Sequence, residues 1–438
     1  MKENQVSTRP LAIELFAGAG GMSLGFEQAG FDLVAAVELD PVHCAVHEFN
    51  FPNCTALCRD IRQVSGVELK ALAKQRGGSV DLVFGGPPCQ GFSLIGKRAI
   101  DDPRNGLVLE FVRLVCETSA KYFVFENVKG LTIGKHRQFL AELVAEFERS
   151  GYRVRLPWRV LNAADYGVPQ DRQRVFLLGA RADLPLPDYP IAISCPPRSD
   201  TLPFDVQSGP TVWDAIGDLP DAEDYEELIG SDSARVRFGA ASEYAKILRG
   251  KKRDPGDFAY PRVFNPALIT SSLRTDHSQD SRARFAQAKN GTTEAVSRFF
   301  KLDPNGICNT LRAGTASDRG AFTSPRPIHP TKPRCITVRE AARLHSYPDW
   351  FRFNATKWHG ARQVGNSVPP YLARSVAASV IRALGITPTK PAVILALGDE
   401  SLLKMTMRQA CAYYDVASDV IPQRIRESRT GVSTGNSR

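Results

Sequence analysis

Short apolar runs alternate with amphipathic stretches over the first 180 residues of the chain. Five of these runs are typical of buried strands, namely LAIELF, FDLVAAVEL, VDLVFGG, KYFVFENV and RVFLLGAR. The stretches between them have helical periodicity, and strands that alternate with helices form a parallel sheet covered by helices. We therefore expect an α/β fold with a mostly parallel, doubly wound, Rossmann-like sheet.

The pattern weakens after this region and then returns. Pro-, Asp- and Arg-rich sequence before residue 335 is typical of a smaller, loop-rich domain. In TVREAARLHSYP, Thr337 and Glu340 have the spacing of a capping box, which predicts a helix start. A second helix is predicted from near Pro369, and a mixed helical piece from Leu402 to Ala417. The predicted boundaries are 1–185, 186–335, 336–390 and 391–438.

Composition limits the compartment and the partners. The chain has 438 residues and a net charge of +9, which favours a polyanionic partner. Its nine cysteines show no paired spacing, so no disulfide framework is expected. The opening MKENQVSTRP lacks the apolar segment of a signal peptide, and no apolar run approaches the roughly 20 residues that cross a bilayer. We expect a cytoplasmic protein with reduced thiols and no membrane span.

The first strand is followed by a glycine loop, FAGAGG, in which Gly18 and Gly20 allow a ligand to approach the backbone. Glu38, at the end of the second strand, can accept hydrogen bonds from both ribose hydroxyls. Ser23 stands where a dinucleotide fingerprint has its third glycine, so a nucleoside without phosphates fits better. S-adenosylmethionine is the common one, and Asp60 in CRDI can hold its adenine amino group. A tight turn alone would also explain the glycines.

The stretch GGPPCQGFS places Cys89 just past the end of the strand in VDLVFGG, on the same edge of the sheet as the glycine loop. Pro87 and Pro88 restrict the backbone that enters Cys89. A thiol held in one conformation is what a nucleophile requires. We therefore predict that Cys89 is a catalytic nucleophile.

Two further elements bring polar side chains to this edge. Glu126 lies near the end of the strand in KYFVFENV, and Arg172 and Arg174 alternate in VPQDRQRVFLLG, which predicts that both lie on one face of a strand. Carbon 5 of cytosine is a poor nucleophile. Addition of the Cys89 thiolate at carbon 6, with Glu126 donating a hydrogen bond or a proton to ring nitrogen 3, makes it enamine-like. This set beside a methyl donor predicts methylation of cytosine.

Six motifs in this order resemble the DNA (cytosine-5) methyltransferase family: FAGAGG, GGPPCQGFS, ENV, QDRQR, RCITVREAARLHSYP and QVGNSVPP. The resemblance covers about residues 11 to 384. It implies that Cys89 is the nucleophile, that Glu126 is the catalytic acid, and that Arg172 and Arg174 contact a flipped cytosine and order the site. It also implies cofactor contacts at Phe16, Gly18, Gly20, Glu38, Asp60, Pro87, Leu107, Asn366 and Val368.

The same resemblance implies the roles of the predicted parts. Residues 186–335 correspond to a target-recognition domain, and CNTLRAGT, with Thr310 and Arg312, resembles its recurring segment. SLIGKRAIDDPRNG resembles a mobile loop whose Lys97, Arg98 and Arg104 can contact phosphates, or can equally be solvated. The implied partners are double-stranded DNA and a cognate restriction endonuclease that acts independently, or none for an orphan enzyme. We expect a monomer.

Other functions fit the sequence less well. Family members that methylate tRNA carry a CFT-type segment, which this sequence lacks. A zinc deaminase needs Pro-Cys-x-x-Cys, but Gln90, Gly91 and Phe92 follow Cys89. The histidines and cysteines between residues 43 and 58 match no zinc spacing, so no metal is predicted. A DNA-binding module without catalysis would not need Cys89, Glu126 and the two arginines together, so we favour an enzyme.

Overall fold

The computed structural model describes residues 9–88, 105–134, 136–197, 206–314 and 326–421. In these residues a central sheet of eight strands is flanked by helices. The strands are β1 (Leu11–Leu15), β2 (Asp32–Glu38), β3 (Thr55–Cys58), β4 (Leu82–Gly85), β5 (Tyr122–Val128), β6 (Tyr152–Val154), β7 (Arg159–Asn162) and β8 (Gln173–Arg181). The helices between them are α1 (Gly21–Ala29), α2 (Pro41–Asn50), α3 (Gly66–Gln75), α4 (Gly106–Thr118) and α5 (His136–Arg149).

The order of the sheet is β3-β2-β1-β4-β5-β8-β6, with β7 also paired to β8. Strands β1 to β5 are parallel, whereas β6, β7 and β8 pair antiparallel. The predicted α/β class with a mostly parallel, doubly wound sheet is therefore confirmed. In this order β2 lies on one side of β1 and β4 on the other, so the strand order reverses between β1 and β4. Ligands of such sheets bind in the crevice at that switch point.

Strand side chains alternate between two apolar layers, as the pleat requires. Leu82 and Phe84 pack on the side of α1, where the rings of Phe26 and Phe84 stack with centroids 3.9 Å apart. Val83 and Phe123 pack on the other side, where the rings of Phe123 and Phe147 stack at 3.8 Å. Strands β1, β2, β4 and β5 are thus covered on both faces, which holds the edge carrying the glycine loop in place.

Little regular structure is present between residues 186 and 335, in agreement with the loop-rich composition. The described part holds β9 (Ser194–Cys195), β10 (Gln207–Ser208), α6 (Val212–Ile216), β11 (Ala234–Arg235), α7 (Glu243–Leu248), β12 (Leu268–Ile269) and α8 (Gln279–Gln287). The strands form two separate two-stranded pairs. The proposed division into domains stays a prediction.

The predicted capping box is present. Thr337 Oγ1 accepts from the Glu340 amide and the Glu340 carboxylate accepts from the Thr337 amide, at the start of α9 (Val338–Leu344). Next come α10 (Lys357–Asn366) and α11 (Pro370–Ala383), and α11 packs against α1.

The helical piece predicted from Leu402 to Ala417 is instead two short helices, α12 (Ser401–Lys404) and α13 (Met407–Tyr413). Met405 caps the end of the first helix and Thr406 caps the start of the second, where its hydroxyl accepts from the Gln409 amide. Across the residues that the structure describes, no helix is long and apolar enough to cross a bilayer.

Candidate active site

A cavity of about 650 Å³ opens at the carboxyl ends of β1, β2 and β4, which is the switch point of the sheet. Its size is that of a small-molecule site. Eight of the residues that the sequence singles out line it: Phe16, Gly18, Glu38, Asp60, Leu107, Glu126, Asn366 and Val368.

The glycine loop turns sharply at the end of β1. Phe16 and Gly18 both have positive φ, 60° and 56°, and for Phe16 this left-handed conformation is strained. Gly20 has a different role, because it caps α1 and a side chain there would lie 2.4 Å from the Phe51 ring. The described residues that line the cavity do not include Gly20. Gly18 is therefore the glycine of this pair that faces a ligand.

Glu38 is held by three backbone amides. Its Oε2 accepts from the Gly18 amide at 2.7 Å, and its Oε1 accepts from the amides of Leu39 and Asp40, both at 2.9 Å. The carboxylate thus joins the glycine loop to the end of β2 before any ligand binds. Oε1 thus already accepts two hydrogen bonds, and Oε2 has a further lone pair that can accept a hydrogen bond from a hydroxyl group.

Asp60 and Leu107 lie on other walls of the cavity. The Asp60 carboxylate caps the short helix at 61–63 by accepting from the Arg62 amide at 2.9 Å, and it also pairs with the Arg62 guanidinium at 3.3 Å. Leu107 stands in the first turn of α4. Asp60 therefore has a structural function of its own beside the predicted one.

Glu126 stands one residue beyond the end of the neighbouring strand, since Gly85 of β4 pairs with Phe125. A side chain at Gly86 would lie 2.4 Å from Glu126 Oε2, so glycine leaves room for the carboxyl group. Arg174 Nε donates to Glu126 Oε1 at 3.0 Å. Burial raises the pKa of Glu126 above its ordinary value, although Arg174 and Arg172 act in the opposite direction. A raised pKa favours the protonated form of the carboxyl group, which is the form that can donate a proton.

Arg172 is fully buried and precedes β8. Its Nη1 donates to the Leu311 carbonyl at 2.8 Å and its Nη2 to the Gly365 carbonyl at 2.9 Å. Gly365 is required there, because a side chain would lie 2.5 Å from the Ala313 amide nitrogen. Arg172 therefore joins the end of the sheet to the 311–313 segment and to the loop that carries Asn366.

The proline loop is fixed from β5. Asn127 Nδ2 donates to the Pro87 carbonyl at 2.9 Å, and Pro88 lines the cavity. The predicted nucleophile Cys89 lies outside the described residues, as do Lys97, Arg98 and Arg104. Pro88, the residue before Cys89 in the sequence, thus lies at the cavity.

Several polar residues at the cavity were missed by the sequence analysis. The fully buried Ser23 hydroxyl donates to Glu14 and lies 2.9 Å from His47 Nε2. Burial raises the pKa of Glu14 to about 8 and lowers that of His47 to about 3, so this network is largely uncharged at neutral pH. Arg362 also lines the cavity, on α10. A buried acid within an apolar strand run is the signal that could have identified Glu14.

The described residues contain no group of three or more His, Cys, Asp or Glu side chains placed to hold a metal ion. The histidines and cysteines of residues 43–58 are instead distributed over α2, the loop that follows it and β3. This region builds one wall of the cavity through Asp40 and His43.

Comparisons with known proteins identify the family of the chain. Residues 11–382 match the family model of the C-5 cytosine-specific DNA methylases. The Type II methyltransferase M.XorII of Xanthomonas oryzae pv. oryzae is 61% identical over 96% of both chains. M.DdeI of Desulfomicrobium norvegicum, also a Type II methyltransferase, is 35% identical over 83% of this chain and 87% of its own.

A solved structure extends the agreement to the fold. A DNA modification methyltransferase encoded within a prophage (E. coli) is similar with a TM-score of 0.67 and 32% identity, over 86% of this chain and 100% of that one. Family match, identity over nearly the whole chain and shared architecture lead to one conclusion. The chain belongs to the C-5 cytosine-specific DNA methylase family.

Proposed function

We propose that this protein methylates carbon 5 of a specific cytosine in double-stranded DNA, with S-adenosylmethionine as the methyl donor and Cys89 as the nucleophile. The observation that carries the proposal is that Glu38 and Glu126 line the same cavity. The similarity to Type II methyltransferases supports a role in bacterial restriction-modification, or as an orphan methylase.

The residues of the cavity fit S-adenosylmethionine. Glu38, fixed by three amides, has a lone pair left on Oε2 for a ribose hydroxyl, and Asp60 can accept from an adenine amino group. Phe16 and Leu107 offer apolar surface, and Asn366 and Val368 close the pocket from the loop after α10. When bound, this cofactor supplies an electrophilic methyl group on a sulfonium. No metal is needed for that chemistry.

The chain's own residues activate the base. We assign the Cys89 thiolate to addition at carbon 6 of a cytosine swung out of the duplex, and Glu126 to delivery of a proton to ring nitrogen 3. Arg174 keeps the Glu126 carboxyl group in position. Carbon 5 then has the electron density to take the methyl group. Loss of the carbon 5 proton afterwards re-forms the double bond and expels the thiolate.

Arg172 supports this arrangement from behind. Because it donates to the Leu311 and Gly365 carbonyls, it holds the 311–313 segment of the predicted recognition domain against the catalytic edge of the sheet. We assign sequence choice to residues 186–335, and DNA binding without a second subunit or an obligatory endonuclease partner. The methylated sequence can be found by mapping 5-methylcytosine in a host that lacks it and expresses this gene.

The test is a covalent trap. Fluorine at carbon 5 cannot leave as a cation, so duplex DNA with 5-fluorocytosine at the methylated site, plus S-adenosylmethionine, should give a complex that survives denaturing electrophoresis. Peptide mapping should find the adduct on Cys89. Cys89→Ser should give none, because a hydroxyl without an adjacent base is a weak nucleophile.

The control is Cys116→Ser, since Cys116 is half-buried in α4 and does not line the cavity. This variant should trap as well as the wild type. Absence of an adduct on DNA that the wild type demonstrably methylates, or an adduct on another cysteine, would overturn the proposed mechanism.

A further inference from the structure

The segment after α11 lies beyond the 11–382 region shared with the family model, yet it packs on the cofactor side of the molecule. Leu402 and Leu403 of α12 are buried against Ala45 and Phe49 of α2. Ala19 of the glycine loop belongs to the same apolar cluster. The C-terminal segment therefore supports the loop that turns over the cavity.

Hydrogen bonds fix the segment to α2. The Gly398 amide donates to the Phe49 carbonyl at 2.9 Å. Farther along, the hydroxyls of Tyr413 and Tyr414 donate to the two oxygens of the Glu48 carboxylate, at 2.8 and 2.7 Å. Two tyrosines on one carboxylate set the direction in which the chain leaves α13.

That direction brings the chain to the cavity. Val420 and Ile421 are both half-buried, and both line it together with Glu38 and Asp60. Burial raises the pKa of the Cys411 thiol in α13, and the nearby Cys58, the last residue of β3, raises it further, so α13 stands beside the end of the strand that Asp60 follows. The two apolar residues thus line the same cavity as the residues to which the ribose and adenine contacts are assigned.

We propose that Val420 and Ile421 bind the nucleoside part of the methyl donor, as an apolar wall that the shared family region does not supply. The inference rests on the proposed function, because it assumes S-adenosylmethionine in this cavity. Partly exposed Val and Ile side chains lose water when a purine nucleoside covers them, which favours binding. The segment is then part of the cofactor site.

The test compares two Val-Ile pairs of the same segment. Val420→Ser with Ile421→Ser removes the apolar wall. Val393→Ser with Ile394→Ser makes the same chemical change at side chains that are 60% and 62% exposed and do not line the cavity. Calorimetry with S-adenosylmethionine should show a dissociation constant raised about 5- to 30-fold for the first double variant and unchanged for the second.

Kinetics give a second measurement. The Val420/Ile421 variant should raise KM for S-adenosylmethionine and leave kcat at saturation near the wild-type value, since neither residue takes part in the chemistry. Unchanged affinity in this variant, or an equal loss in both variants, would refute the inference. A wild-type protein that does not bind S-adenosylmethionine would instead refute the proposed cofactor, and the inference with it.

Discussion

Apolar side chains fill both faces of the central sheet, whereas buried arginines join residues 206–335 to the helices that follow. Arg339 is almost fully buried and donates to the carbonyls of Thr270, Pro348 and Phe351. Arg334 pairs with Asp221 and with Glu340.

The difference follows from backbone hydrogen bonding. Neighbouring strands of a sheet satisfy one another's backbone amides and carbonyls, so their side chains can be apolar. A buried loop has unpaired carbonyls, and a guanidinium with five donors can satisfy several of them at once. Substitutions in the two regions should therefore affect different measurements.

The sheet edge carries the largest expected effect, on rate. Glu126→Gln keeps the shape and an acceptor for Arg174 but cannot deliver a proton, so methyl transfer should slow about 100- to 10,000-fold. Single-turnover assays with labelled S-adenosylmethionine measure this, and calorimetry should show cofactor affinity close to that of the wild type. A rate within a factor of two of the wild type would remove Glu126 from the mechanism.

Among the buried arginines that join residues 206–335 to the following helices, Arg343 has the largest expected effect on stability. Arg343 is fully buried and pairs with Asp218 at 3.1 Å and Asp349 at 2.5 Å, so both carboxylates lose a partner in Arg343→Met. The free energy of unfolding in urea should fall by about 3 to 5 kcal/mol.

The matched control for Arg343→Met is Arg149→Met. The Arg149 side chain is 56% exposed and pairs with Glu146 on the surface of α5, so the loss should be at most about 1 kcal/mol. An equal loss of unfolding free energy in the two variants would show that burial of the Arg343 charge does not add to stability.

Glu38 tests how much of the cofactor affinity the sheet supplies. Glu38→Ala removes the acceptor for the ribose and releases the Gly18 amide, so binding of S-adenosylmethionine should weaken by about 1.5 to 3 kcal/mol. Calorimetry measures the change, and an unchanged dissociation constant would assign the ribose to another group.

Glu14 gives the smallest expected effect and a pH dependence. Its pKa is about 8 in the folded chain against an ordinary 4.5, so folding favours the protonated acid. The stability it contributes is complete below pH 4.5 and is lost as pH rises toward 8. Between pH 6 and 7, unfolding of the wild type relative to Glu14→Gln should become easier by up to about 1.4 kcal/mol. Parallel stability curves for the two proteins would contradict the burial of an acid at this position.

The sequence predicted the fold where neighbouring residues determine structure. Alternation of strands and helices specified the sheet, and the Thr337 and Glu340 spacing specified the start of α9. The carboxyl ends of parallel strands share one edge, so Glu38 and Glu126 could be expected on one cavity before their positions were known.

Contacts between distant segments left no comparable pattern. Arg172 was predicted beside Arg174 on one strand face, but its guanidinium binds carbonyls from Leu311 and Gly365, which no local spacing indicates. The docking of the last helical piece on α2 depends in the same way on partners hundreds of residues away, whereas its division near Thr406 follows from a local capping box with Gln409.

The packing of α1 against α11 determines when this protein can complete its fold during synthesis. Gly25 meets Ala373 so closely that a side chain on Gly25 would lie 2.5 Å from the Ala373 methyl group. Ribosomes add about 5 to 20 residues per second, so the roughly 350 residues between these helices take roughly 17 to 70 s. Until then the face of α1 that packs on α11 has no partner, and the nascent chain presents a surface that chaperones bind and that other unfinished chains can join.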